Sequence, residues 1–145
     1  MADQEKLMAL DLGKRRIGMA VSGPGGIALP AGHIVRINLA SDVQQIIDFA
    51  QDHQIRGVVV GIPYTLGGQS QETAKLALGF IRALRRAISE ESLLIYQMDE
   101  RYTSVEAEGL LKESGVQPSR NRAMVDETAA MLILQRFLAS HGIWT

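Results

Sequence analysis

Residues 8–22 read MALDLGKRRIGMAVS: two short apolar runs, 7–12 and 17–22, joined by the four residues GKRR. Apolar segments bounded by a glycine-containing polar turn predict a hairpin or a short antiparallel connection. One residue breaks the pattern, because Asp11 stands where the first strand should carry another aliphatic side chain. A buried carboxylate is costly unless it is paired or bound to a cation. The stretch therefore opens an antiparallel sheet and marks a candidate site on it.

Outward from the hairpin, GPGG at 23–26 forces a turn, and IALPAGHIVRI at 27–37 supplies a third strand with Pro30 at an edge or bulge. Ser41 is placed to cap a helix running to about His53, since Val43, Ile46, Ile47 and Ala50 recur at helical spacing. GVVVGIPY at 57–64 is a continuous apolar run, expected to be a central parallel strand covered on both faces. TLGGQSQ at 65–71 reads as a loop. After it, Ala74, Ala77, Leu78, Ile81, Leu84 and Ile88 mark a second amphipathic helix. LLIYQMDE at 93–100 is a further strand ending in two acids, and TSVE at 103–106 is a capping-box pattern opening a short helix that Gly115 terminates. VQPSRNRA at 116–123 reads as a polar loop. The last helix spans about 124–140, apolar nearly all round, with Gly142 as its stop. Strand alternating with helix in the middle of the chain implies βαβ units with right-handed crossovers.

The whole chain, 1–145, is expected to form one domain, because 145 residues with 46% hydrophobic content suit a single α/β core. Cysteine is absent, which excludes disulfides and thiolate metal sites and favours a reducing compartment. Acids occupy the N-terminus where a signal peptide would be basic, and no apolar run nears the ~18 residues of a membrane span. A soluble, cytoplasmic protein without membrane partners is the expectation. Fifteen basic against sixteen acidic residues leave a net charge of −1, so any phosphate-binding surface must come from local clusters. Three exist: Lys14, Arg15 and Arg16; Arg82, Arg85 and Arg86; Arg120 and Arg122. Gly13 and Gly18 would let a phosphate backbone come near.

Three acids lie on elements that should be buried: Asp11 in the first strand, Asp99 or Glu100 at the end of the last, and Asp126 at the beginning of the final helix. Asp126, Ala129, Ala130, Ile133 and Phe137 share one helical face, otherwise apolar and so turned inward. Ala129 and Ala130 keep it slim, which lets Asp126 approach Asp11. Carboxylates held close together need a cation, and hard oxygen ligands suit Mg²⁺ or Mn²⁺, the ions that run in-line phosphodiester hydrolysis. Each acid has a plainer reading: Asp11 as a turn former, Glu100 as the partner of Arg101, Asp126 as a complement to the helix dipole. Their combination favours a site. GKRRIG lacks P-loop spacing, the three histidines are far apart with no Ser-His-Asp order, and three tyrosines are too few for a base-stacking platform.

LDLGKRRIGMAVS, VVVGIPYTLGGQSQETA, DERYTSVEAEGLL and VDETAAMLILQRFL together resemble the YqgF/RuvX family, Holliday junction resolvase-like proteins of the ribonuclease H-like fold, from about Leu7 to Leu138. The resemblance implies a mixed five-stranded sheet, three antiparallel strands first and two parallel additions after, flanked by helices on both faces. It also implies a nuclease trimming the 5′ end of the 16S ribosomal RNA precursor, with branched DNA as an alternative substrate. Asp11, Glu100 and Asp126 match the family's acids and would be the catalytic and metal-binding residues, with Mg²⁺ or Mn²⁺ as cofactor. Glu100 takes a role that resolvases outside the family give to an acid on the central strand. Arg122 stands at the family's usual lysine four residues before the final acid, and Lys14, Arg15, Arg16, Arg101, Arg120 and Arg122 form the expected nucleic-acid contacts. A monomer or a homodimer is compatible with this reading, the dimer being needed for symmetric junction cleavage. Three other readings compete: a junction-cleaving DNA resolvase, a non-catalytic RNA-binding assembly factor and, remotely, an actin-like ATPase, for which one small domain provides no interlobe cleft.

Overall fold

A computed structural model describes residues 5–62, 68–88, 93–99 and 103–141, with the side chains of 68–73, 103–105, 119 and 141 excepted. Its five strands are β1 (Leu7–Leu12), β2 (Arg16–Gly23), β3 (Ile27–Val35), β4 (Gly57–Ile62) and β5 (Leu94–Asp99). They lie in the order β3-β2-β1-β4-β5. The first three pair antiparallel, while β4 runs parallel to both β1 and β5. This is the sheet that the resemblance implied. β4 is interior, between β1 and β5, and its six residues are all buried, as an uninterrupted apolar run requires.

Period-two alternation sorts the strands between two cores. Met8, Leu10, Ile17, Met19, Val58, Val60 and Ile62 face helices α1 (Leu39–Asp52) and α2 (Gly68–Ala87). Leu7, Ala9, Ala20 and Val59 face helix α4 (Arg122–His141), against Ala130, Ile133, Leu134 and Phe137. Helix α3 (Thr103–Glu113) covers the other side of α4, where Ala107 and Leu111 meet Val125 and Ala129. Sheet on one side and α3 on another account for a final helix apolar over most of its circumference.

The structure corrects four local expectations. Asn38, not Ser41, is the N-cap of α1: its side-chain oxygen accepts from the Ser41 N–H at 2.8 Å, so Ser41 is the third residue of the helix. α2 begins at Gly68, taking in part of the segment read as a loop to residue 71. The segment 116–123 is not uniformly a loop, because Pro118–Arg120 form a 3₁₀ turn and α4 already starts at Arg122. Proline at the first position of that turn favours it, since its missing N–H is one a helix start leaves unpaired anyway. Asp126 consequently lies one turn inside α4 rather than at its start. Gly115 ends α3 as expected: with φ of +83° it lets the Val116 N–H reach the Leu111 carbonyl at 2.8 Å. The expected stop at Gly142 lies outside the described residues.

Candidate active site

Asp11 is opposite Gly18 in the β1–β2 ladder. Cross-strand partners point to the same face with Cβ atoms about 4.5–5.5 Å apart. That face is the one covered by α4, because Leu7 and Ala9 precede Asp11 on it and Ala20 follows Gly18. A Cβ built on Gly18 would stand 2.1 Å from the Asp126 backbone oxygen and 2.3 Å from its carbonyl carbon. The main chain of α4 therefore rests on β2 at the residue beside Asp11. Asp11 is 6% exposed, and Ala129 and Ala130, which allow the approach, are fully buried. The ladder partner of Asp11 thus touches the helix backbone at Asp126, 115 positions further along the chain than Asp11.

The expectation that Gly13 and Gly18 leave room for a phosphate is overturned. Gly18 accommodates the α4 backbone, and a Cβ at Gly13 would meet the Arg16 carbonyl oxygen at 2.7 Å. Both glycines serve contacts within the protein.

Arg16 precedes Gly18 by two and so shares its face. Its Nε donates to Asp126 Oδ2 at 3.0 Å, the two side chains being 27% and 16% exposed. Lys14 and Arg15 are exposed on the turn, where they are free to meet solvent or an anion. Arg122 donates through Nη1 to Glu108 Oε1 at 3.0 Å, and Arg120 is exposed on the 3₁₀ turn. A cleft of about 510 Å³ opens between α3 and the start of α4, lined by Glu108, Lys112, Gln117, Pro118 and Arg122. The cluster Arg82, Arg85 and Arg86 is on α2, across the sheet from Asp126, and does not converge with the other two.

On β5, Tyr96 and Met98 pack with the α4 side, whereas Ile95 packs with the α1–α2 side. Alternation assigns Asp99 to the Ile95 side, away from Asp11. Glu100 and Arg101 lie outside the described residues. Among the described residues no group of three or more His, Cys, Asp or Glu side chains gathers to hold an ion.

Two ion pairs escape the sequence reading. Arg16, expected from the sequence to contact phosphate, is the ion-pair partner of Asp126. Asp42 was not singled out, although it is 1% exposed and bound to Arg36. The signal was present: Asp42, Ile46 and Ala50 recur every fourth residue on the buried stripe of α1, the same pattern that exposed Asp126.

Comparison with known proteins gives this face a context. A family model described as "RuvX: Holliday junction resolvase" matches residues 5–140. The chain belongs to the RuvX family. By family it is a nucleic-acid-hydrolysing enzyme. The chain is 38% identical over 136 residues to a protein of Roseiflexus sp. (strain RS-1) named "Putative pre-16S rRNA nuclease", covering 93% of this chain and 94% of that one. A protein of the same name from Acaryochloris marina (strain MBIC 11017) is 40% identical, with 90% of each chain covered. Among solved structures, Thermus thermophilus RuvC in complex with a Holliday junction substrate aligns with a TM-score of 0.56 at 16% identity, over 96% of this chain and 97% of that one. The Fowlpox virus resolvase with its junction DNA gives 0.54 at 8% identity, over 94% and 98%. These likenesses establish the resolvase-like, ribonuclease H-like fold. Among the described residues no helix of this RuvX protein is long and apolar enough to cross a membrane.

Proposed function

We propose that this RuvX protein is a divalent-metal-dependent endonuclease that cleaves RNA, processing the 5′ end of the 16S ribosomal RNA precursor. The observation that carries the reading is the contact of the α4 backbone at Asp126 with Gly18, the ladder partner of the buried Asp11. The donor set of Asp11 and Asp126 is carboxylate oxygen alone, which fits Mg²⁺ or Mn²⁺. The curated relatives at 38–40% identity, named for pre-16S rRNA, favour RNA over DNA.

Asp11 and Asp126 would hold the ion, and Glu100 is proposed as the third ligand, since alternation directs Asp99 to the opposite face of β5. A bound divalent ion supplies an activated water and neutralises charge on the leaving oxygen. Around it the protein's own groups bind and orient substrate. Lys14 and Arg15 project from the β1–β2 turn toward solvent and would take non-bridging phosphate oxygens. Arg16 would balance Asp126 and, through its remaining guanidinium donors, reach the phosphate at the cut. Arg120, Arg122 and Arg101 would contact flanking phosphates. Burial of Asp11 keeps its carboxylate in a medium where each of these attractions is stronger than in water.

The test is cleavage of a 5′-extended precursor RNA and of a four-way DNA junction by the wild-type protein and by Asp11→Asn, with Mn²⁺, Mg²⁺ or EDTA, followed by mapping of ends. Metal-dependent RNA cleavage lost in the variant is the expected result. Cleavage of the junction alone would move the assignment to a DNA resolvase, the activity for which the family is described. RNA binding without cleavage of either substrate would leave a non-catalytic assembly factor.

A further inference from the structure

Asp42 is the most buried charged residue among those described, and it belongs to neither half of the carboxylate pair. Its Oδ2 accepts from Arg36 Nε at 3.0 Å and its Oδ1 from the Ile37 backbone N–H at 3.0 Å. Arg36 reaches the other way with its second arm, Nη1 donating to the Gly13 carbonyl at 3.1 Å. Its own backbone N–H donates to the Arg15 carbonyl at 2.8 Å, and its guanidinium lies 5.8 Å from the centre of the Phe80 ring. One arginine therefore ties two carbonyls of the β1–β2 turn to a carboxylate rooted in α1. The turn is closed on itself by the Gly13 N–H on the Arg16 carbonyl at 2.9 Å. Arg16, at its far end, is the residue whose side chain reaches Asp126.

A buried ion pair is a poor way to gain stability, because apolar side chains of similar volume often serve as well or better. A geometric role explains this one. Guanidinium is a rigid fork that can hold Asp42 with one nitrogen and Gly13 with another; a lysine ammonium is a single point and cannot span both. We propose that Arg36 and Asp42 form a positioning strut that fixes the 13–16 turn, so that Arg16 stays directed at Asp126 while Lys14 and Arg15 stand at a set distance from the carboxylates to receive nucleic-acid phosphates. The phosphate half of this inference rests on the proposed function; the turn-holding half does not.

The experiment uses the full chain carrying Arg36→Lys or Asp42→Asn, the latter keeping an oxygen for the Ile37 N–H so that a folded variant is in hand if the former fails. Hydrogen exchange across residues 13–16 and binding of a precursor RNA fragment in EDTA are measured, each in the native background and with Lys14→Ala/Arg15→Ala. Exchange in the turn should quicken about tenfold, the size expected for a lost charge-assisted hydrogen bond, while exchange along α4 changes little. RNA affinity should fall about tenfold in the native background and not further where Lys14 and Arg15 are already gone, since contacts acting through one another do not add. Unchanged exchange in the turn would overturn the strut, and an equal affinity loss in both backgrounds would overturn its action through Lys14 and Arg15. Absence of RNA binding by the wild-type protein would sink the proposed function instead, and turn exchange would still decide whether the strut exists.

Discussion

Gly18→Ala perturbs the contact on which the site depends. The added Cβ would stand 2.1 Å from the Asp126 backbone oxygen, 2.3 Å from its carbonyl carbon and 2.9 Å from the Glu127 nitrogen. All three are main-chain atoms of a helix, so no side chain can rotate away. Restoring an ordinary separation requires α4 and β2 to part by at least about 1 Å, because carbon–oxygen contacts well below ~3 Å are repulsive. The same helix turn is wedged on its far side by Val125 and Ala129 against Ala107 and Leu111, which resists the movement. Overpacking of this kind typically costs about 1–3 kcal/mol, and here the upper part of the range is expected because backbone meets backbone. A displacement of about 1 Å between Asp11 and Asp126 should lower kcat by about a hundredfold, since catalytic groups tolerate little misplacement. Urea unfolding and metal-dependent RNA cleavage on the same preparations separate the two effects: at a stability still well above zero nearly every molecule is folded, so the lost activity reports geometry. Gly109→Ala is the control, because nothing lies within 4 Å of its would-be Cβ and it is exposed in α3; it should be neutral or stabilising by up to about 1 kcal/mol. Wild-type stability and activity in Gly18→Ala would refute the claim that α4 must touch β2 for the site to form.

Two further outcomes are expected. Mg²⁺ or Mn²⁺ at about ten times its Kd should raise the melting temperature of the wild-type protein by roughly 4 °C, as binding to the native state alone requires, and should leave Asp11→Asn nearly unmoved; equal shifts in both, read by scanning calorimetry, would place the ion elsewhere. Asn38→Ala should destabilise by about 1 kcal/mol through loss of the α1 cap, whereas Ser41→Ala should change little, and denaturant titration distinguishes the cap seen in the structure from the one suggested by the sequence.

Much of the site was legible in the sequence because burial leaves a periodic trace. Asp126 stands out against Ala129, Ala130, Ile133 and Phe137 at helical spacing, and Asp11 against an aliphatic strand; Asp11 is buried on the sheet face that α4 covers, and Asp126 lies on α4 with its backbone against Gly18. The two glycines matter for a missing side chain, but the neighbour that needs the space is the protein's own backbone rather than a phosphate. Space around a residue depends on what approaches from elsewhere in the chain, and what approaches Gly18 is a helix more than a hundred residues later. Asp42 carried the same periodic trace as Asp126 but reads equally well as an ordinary first-turn acid until Arg36 is seen beside it.

The sequence by itself determined the five strands, the helices between them and the presence of an acid in an aliphatic strand and another on an apolar helix face, because these follow from periods of 2 and 3.6 residues and from local turn chemistry. The tertiary structure alone decided that Gly18 lies opposite Asp11 and beneath Asp126, that Arg16 serves Asp126, and that Arg36 braces the turn between them. Those contacts are set by ladder register and by how closely one helix can settle on a sheet. Neither quantity is written in any single stretch of residues.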